Sequence, residues 1–221
     1  MQRQLNAISD KEILHYLGCH EADEILNQQI QIAREKVYKL ARPKIVYQIV
    51  PIHGLDNELH IPLHGKDIKE LLVTSDQVLF MAATLGNAID IETKRLSIKD
   101  MGDMLVFDAV CNAAIETIAD EFEQEQRQLF YQNNRYFTDR FSCGYGDLNI
   151  NIQKAFCEAL DTKRKIGLYV NESYLLMPLK SITAIIGISE LPQPKRITGC
   201  QGCDRRTFCE LRKRGIFCGE N

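Results

Sequence analysis

"RFSCGYGDLNI", residues 140–150, is the stretch on which the reading of this chain turns. Arg140 stands four residues before Gly144-Tyr145-Gly146, and Asp147 follows. Glycine reaches backbone conformations closed to other residues and lets a ligand come close. Downstream, Ile152, Phe156 and Leu160 sit at helical spacing, so a helix capped by Asp147 is expected, with its free N–H groups at the same place. Such an N-terminus favours an anion. An arginine clamps a carboxylate through paired hydrogen bonds, and a tyrosine offers a flat face to a purine or a cation. Together these parts suit an amino-acid-like ligand. They equally suit a plain loop in which Arg140 pairs with a surface acid.

The surrounding segments predict an α+β protein. Ser9-Asp10-Lys11-Glu12 reads as a capping box opening a short helix. A longer helix runs from about Glu21 to Leu40, on a stripe of Leu26, Ile30, Ala33, Val37 and Leu40, and ends before Pro43. "KIVYQIV" (44–50) reads as a strand, "DIKELL" (67–72) as a brief helix, and "SDQVLFMAATLG" (75–86) as a buried strand. Asn87 is expected to cap the next helix. The longest helix spans about Gly102 to Phe130, with Met104, Cys111, Ile115, Ile118 and Phe122 inward and Glu116 at the edge of that stripe. "KIGLYV" (165–170) and "SITAIIGIS" (181–189) complete the strands. Helices and strands interleave without a βαβ rhythm, so an antiparallel or mixed sheet with several helices is expected rather than a doubly wound one. Residues 1–65 read as helices and a hairpin belonging to the same domain, 66–191 as its core, and 192–221 as a separate tail beyond Pro192 and Pro194.

The chain has 221 residues, 45% hydrophobic and 26% charged, with a net charge of −3. That balance supports a folded core and excludes a nucleic-acid binder by bulk electrostatics. There is no signal-like N-terminus and no apolar run of about 20 residues, so a cytoplasmic protein without a membrane span is expected. Nothing matches a Walker loop or a dinucleotide fingerprint. His53, His60 and His64 flank turns without an evident acidic partner and read as loop histidines. Cys111 and Cys157 read as small buried residues, and Cys143 as the thiol placed to react.

The tail carries Cys200, Cys203, Cys209 and Cys218, with seven Lys or Arg and three acids in residues 195–221. Four clustered thiolates can close a zinc site or hold an iron–sulfur cluster, although the spacing is not a ferredoxin run.

Arg140-Phe-Ser-Cys-Gly-Tyr-Gly and, some 25 residues on, "GLYVNESYLLMP" (167–178) resemble two linked motifs of the activation domain of cobalamin-dependent methionine synthase. The resemblance covers roughly residues 70 to 190, and "AATLGNAID" with the Glu116 helix looks like the free-standing bacterial version. Cys143 and Gly146 stand where that family usually has proline.

The resemblance implies an accessory subunit that presents S-adenosylmethionine to a separate synthase core. There, one electron from a flavoprotein or other donor, with the sulfonium methyl, restores methylcobalamin from cob(II)alamin. It also implies that Arg140 takes the methionyl carboxylate and Glu116 the α-ammonium. Ser142, Gly144 and Tyr145 would meet the rest of the ligand, and Glu172 would shape the site. No general base is implied, because the methyl leaves an activated sulfonium. A metal-binding interaction module and a reductive activator of another corrinoid protein are the other readings that these residues leave open.

Overall fold

Gln77–Thr84 (β3) is the strand around which the chain is built. From Val78 onward every residue of it is buried. Alternate residues face opposite sides of a strand, so both sides of the sheet must be covered here. Leu79, Met81 and Ala83 join one core; Val78, Phe80 and Ala82 join the other. A computed structural model describes residues 1–194 and 207–208 of the chain. Cys200, Cys203, Cys209 and Cys218 lie outside the described residues.

Lys44–His53 (β1) and Ser181–Ser189 (β7) pair antiparallel with β3 along its whole length. Asp56–Asn57 (β2) extends the sheet beyond β1, and Tyr136–Phe137 (β4) beyond β7. The result is a five-stranded sheet in the order β2-β1-β3-β7-β4, antiparallel throughout. The fold is α+β.

On one face lie Asp10–Leu17 (α1), Glu24–Leu40 (α2), Asn87–Lys99 (α4) and Met101–Tyr131 (α5). The 31-residue α5 carries the centre of that core, with Phe107 and Phe122 essentially sealed from solvent. Tyr47 of β1 meets Phe122 with ring centroids 4.9 Å apart. Ser9 caps α1 by accepting from the Glu12 N–H, and Asp23 caps α2 by accepting from the Leu26 N–H at 2.8 Å. α2 therefore starts at Glu24, three residues later than the expected Glu21.

The opposite face is covered by Lys66–Leu72 (α3), Ile152–Leu160 (α6) and Thr162–Ile166 (α7). Tyr169–Val170 (β5) and Leu176–Met177 (β6) form a separate two-stranded hairpin. Phe156 of α6 meets Phe80 of β3 edge-on at 5.5 Å.

Three local expectations fail. "KIGLYV" is a strand only at Tyr169–Val170; Lys165 and Ile166 belong to α7, which ends at Gly167 with φ of 76°. α4 takes Gly86, not Asn87, as its N-cap, and Thr84 Oγ1 accepts the Gly86 N–H at 3.1 Å. Asp147 does not cap α6, whose N-cap position is Asn151 without a side-chain bond. Its carboxylate instead accepts the N–H groups of Lys66 (2.5 Å) and Asp67 (3.2 Å), at the start of α3. Asp67 returns the contact by accepting the Asp147 N–H at 3.3 Å. Gly146 has φ of 49°, and a Cβ there would run into the Asp67 carboxylate. The partner lies 80 residues away in sequence, which is why local spacing assigns this cap wrongly.

Asp147→Ala should therefore lower stability by about 1–2 kcal/mol through loss of the α3 cap. Asn151→Ala, at the start of α6, should change stability by less than about 0.5 kcal/mol. Urea unfolding of the two variants checks the assignment, and equal losses would refute it.

Candidate functional site

The chain from β4 runs back along β7. Phe141 exchanges backbone hydrogen bonds with Ile185, at 2.9 and 2.7 Å. Ser142 Oγ then donates to the Thr183 carbonyl at 2.8 Å. The turn closes on itself: the Gly144 N–H reaches the Leu148 carbonyl at 2.9 Å and the Tyr145 N–H the Ser142 carbonyl at 3.0 Å. The Gly144, Tyr145 and Asp147 N–H groups are thus engaged within the protein rather than offered to a ligand. Gly144, at φ of 89°, is in the left-handed region that favours glycine. The Tyr145 ring stands 55% exposed, edge-on to Phe141 at 6.1 Å.

Arg140 leaves this segment toward α5. Glu116, Asp120 and Glu123 recur at helical spacing and share one face of that helix. Arg140 Nη2 donates to Glu116 (3.0 Å) and Asp120 (2.6 Å), and Nε pairs with Glu123 (3.1 Å). Its Nη1 is buried and has no hydrogen-bond partner. Burial opposes the guanidinium charge, but the three carboxylates outweigh it and its pKa is raised.

The carboxylates outnumber the cation, and the surroundings respond. Burial pushes the Glu116 carboxyl above the usual carboxylate range; Arg140 pulls it down and Asp120 pushes it up. Glu12 of α1 is raised by burial, then by Asp120 and Glu116. The Tyr16 hydroxyl is raised by burial and by Glu116 and Glu12.

Two cavities meet beside this cluster. One, of about 210 Å³, is lined by Tyr16, Asn112, Glu116 and Lys180 among others. The second, of about 290 Å³, is lined by Ser142, Tyr145, Gln153, Leu175 and Thr183 among others. Leu179, Ser181 and Ile182 line both, which makes them two ends of one groove along the start of β7. Gln153 of α6 ties the groove wall together: Nε2 donates to the Tyr174 carbonyl of the β5–β6 hairpin, and Oε1 accepts from Thr183 Oγ1. Larger cavities exist, including one of about 560 Å³ lined by His53, His60 and His64 at the β1–β2 hairpin. Among the described residues no group of His, Cys, Asp or Glu is arranged to hold a metal ion. The 210 and 290 Å³ pair is favoured as the site because charged and aromatic groups converge on it.

Of the residues singled out from sequence, Glu116, Ser142 and Tyr145 reach the groove wall. Arg140 and Gly144 line neither cavity, and Glu172 is exposed at the turn of the β5–β6 hairpin. Cys143 is buried, and burial pushes its thiol up to about 12, so it is not the reactive thiol expected from its place in the turn. Tyr16 and Lys180 were missed. Tyr16 lies far upstream in sequence, and Lys180 reads as an ordinary loop lysine until the fold places it.

No family model matches the chain, and no curated protein matches it. Among solved structures, one that matches is described as "Crystal Structure of the MetH Reactivation Domain bound to AdoHcy". It aligns with a TM-score of 0.56 at 14% identity, covering 82% of this chain and 70% of that one. The chain has the fold of that domain. No helix among the described residues is long and apolar enough to cross a membrane.

Two outcomes are expected of the cluster. Arg140→Ala strands three carboxylates and should cost about 2 kcal/mol without any ligand, less than the 3–5 of a fully buried pair because the site is partly exposed. Chemical denaturation measures it. Glu12 and Glu116 have folded pKa values raised above the ordinary 4.5. Each therefore contributes stability in full below pH about 4.5 and loses it as pH rises through the folded value. Glu12→Gln should accordingly raise the Tm relative to the parent at pH 7, and the difference should vanish below pH about 4.5.

Proposed function

We propose that this chain binds S-adenosylmethionine in the groove and serves a separate cobalamin-dependent methionine synthase as its reactivation subunit. The carrying observation is the groove itself: a pocket with Glu116 and Lys180 on its wall joined to one bearing Tyr145, on the fold of a domain described with S-adenosylhomocysteine bound. Glu116 suits an α-ammonium and, with Asp120 and Glu12 nearby, the positive charge of a sulfonium. The exposed Tyr145 ring suits the face of an adenine, and Ser142 and Gln153 offer polar contacts beside it. The resemblance implies Arg140 as the carboxylate partner, but Arg140 lines neither cavity and its unpaired Nη1 is buried. Gly144 keeps the turn in the shape that presents Tyr145, and Glu172 shapes the hairpin rim.

The sulfonium supplies an already activated methyl group, so the work left to these residues is positioning and exclusion of water. In this reading the cobalamin is held by the synthase, and the electron arrives from a flavoprotein or another donor. Cys200, Cys203, Cys209 and Cys218 would hold zinc or an iron–sulfur cluster and fix the basic tail.

Heating the chain with S-adenosylmethionine at about 100 times its dissociation constant should add roughly 2.7 kcal/mol of stability. Tyr145→Ala should weaken binding by about 1–2 kcal/mol while leaving the ligand-free Tm near the parent's. No stabilisation at millimolar ligand would remove the proposal. Added in trans with a one-electron donor, the chain should restore activity to a synthase preparation held as cob(II)alamin. Elemental analysis and a visible spectrum of anaerobically purified chain should show bound zinc or iron–sulfur; absence of either would strike the tail from this account.

A further inference from the structure

The carboxylate of an amino-acid ligand requires a cation with a donor to spare, and Arg140 is poorly placed to supply it. Nη2 and Nε are committed to three acids of α5, and Nη1 is sealed from solvent. No atom of Arg140 lines either cavity.

A second cation does face the groove. Lys180 closes the smaller cavity together with Asn112, and the same cavity has Glu116 on its wall. The Lys180 side chain is only 13% exposed, held by Asp108 Oδ1 at 2.6 Å and by Asn112 Oδ1 at 2.7 Å. An ammonium has three donors, so one remains for a ligand. The neighbouring chain is pinned as well: the Leu179 N–H donates to Asp90 Oδ2 at 2.8 Å, and Ser181 Oγ reaches Thr84 Oγ1 at 2.8 Å. The lysine is thus fixed at the start of β7 between α4 and α5, its rotamer freedom already lost. A pre-ordered cation costs less to engage than a mobile surface one.

We propose that Lys180, with Asn112 beside it, is the carboxylate-binding residue for an α-amino-acid end held in the smaller cavity, where Glu116 meets the ammonium. Opposite charges on the walls of one roughly 210 Å³ space match a zwitterion, whose two charged groups share one carbon. The remainder of the ligand then extends past Leu179, Ser181 and Ile182 into the second cavity, toward Tyr145. Arg140 becomes a positioning residue that holds Glu116 and the α5 carboxylates in place. This assignment rests on the reading of the groove as an S-adenosyl site, and concerns which end of it takes the amino acid.

The test uses two ligands that share an adenosine and a thioether. S-adenosylhomocysteine carries the amino-acid end; 5′-methylthioadenosine lacks it. Lys180→Met is made alone and together with Asp108→Asn, so that the second form leaves no unpaired acid behind. Calorimetric titration of the full chain should show S-adenosylhomocysteine binding weakened roughly 10- to 100-fold in both variants, the loss of one charged hydrogen bond. Methylthioadenosine affinity should be unchanged, and Lys180→Arg should recover most of the difference. Unchanged S-adenosylhomocysteine affinity in the Lys180 variants would overturn the assignment while leaving the groove reading intact. Equal weakening of both ligands would overturn it too, by showing a structural effect. If neither ligand binds the parent chain, the assignment and the groove reading fall together.

Discussion

A strand buried on both faces governs this molecule. β3 cannot expose either side, so helices must cover both, and its antiparallel neighbours β1 and β7 inherit the same layering. Each large side chain at the centre, such as Phe80, Phe107 or Phe122, is worth roughly 3–5 kcal/mol against truncation, which makes the three layers mutually dependent. The site arises where that layering stops. β4 pairs with β7 only at Ile188 and Ser189, and Phe141 adds one further bridge at Ile185. Beyond that bridge, among the described residues, the start of β7 has no paired strand on that edge, and the groove lies along it.

The electrostatics of the groove come from four separate parts of the chain. α5 supplies Glu116, Asp120 and Glu123; α1 brings Glu12 and Tyr16 against them; the segment after β4 supplies Arg140; and Lys180 stands just before β7. Arg140 is therefore as much a structural cation as a candidate ligand contact. Removing it would perturb the protein before any ligand is considered, so its loss alone cannot report on binding.

The sheet was legible because β1 and β7 are rich in β-branched residues and β3 is an apolar run too short for a helix and bounded by turn residues. α5 was legible from length and periodicity. What sequence could not supply were features set by distant partners. The two-residue strand β4 exists through pairing with the distant β7, β5 and β6 pair with each other across a short turn, and none has a periodic signal of its own. "KIGLYV" divides between α7 and β5 because Gly167 ends the helix in mid-motif. Asp147 looks like a cap for the nearby α6 and serves the distant α3 instead. In the groove, Ser142 and Tyr145 come from the turn that its motif singles out, and Glu116 from the edge of the apolar stripe of α5. Tyr16 and Lys180 acquire meaning only when α1 and the start of β7 converge on α5.

The excess of acid around Arg140 bears on turnover. In the proposed role the ligand enters as a sulfonium cation and leaves as an uncharged thioether. Glu12, Glu116, Asp120 and Glu123 against one guanidinium attract the first species more than the second, since the interaction scales with charge. In that role, transfer of the methyl would weaken the grip on what remains.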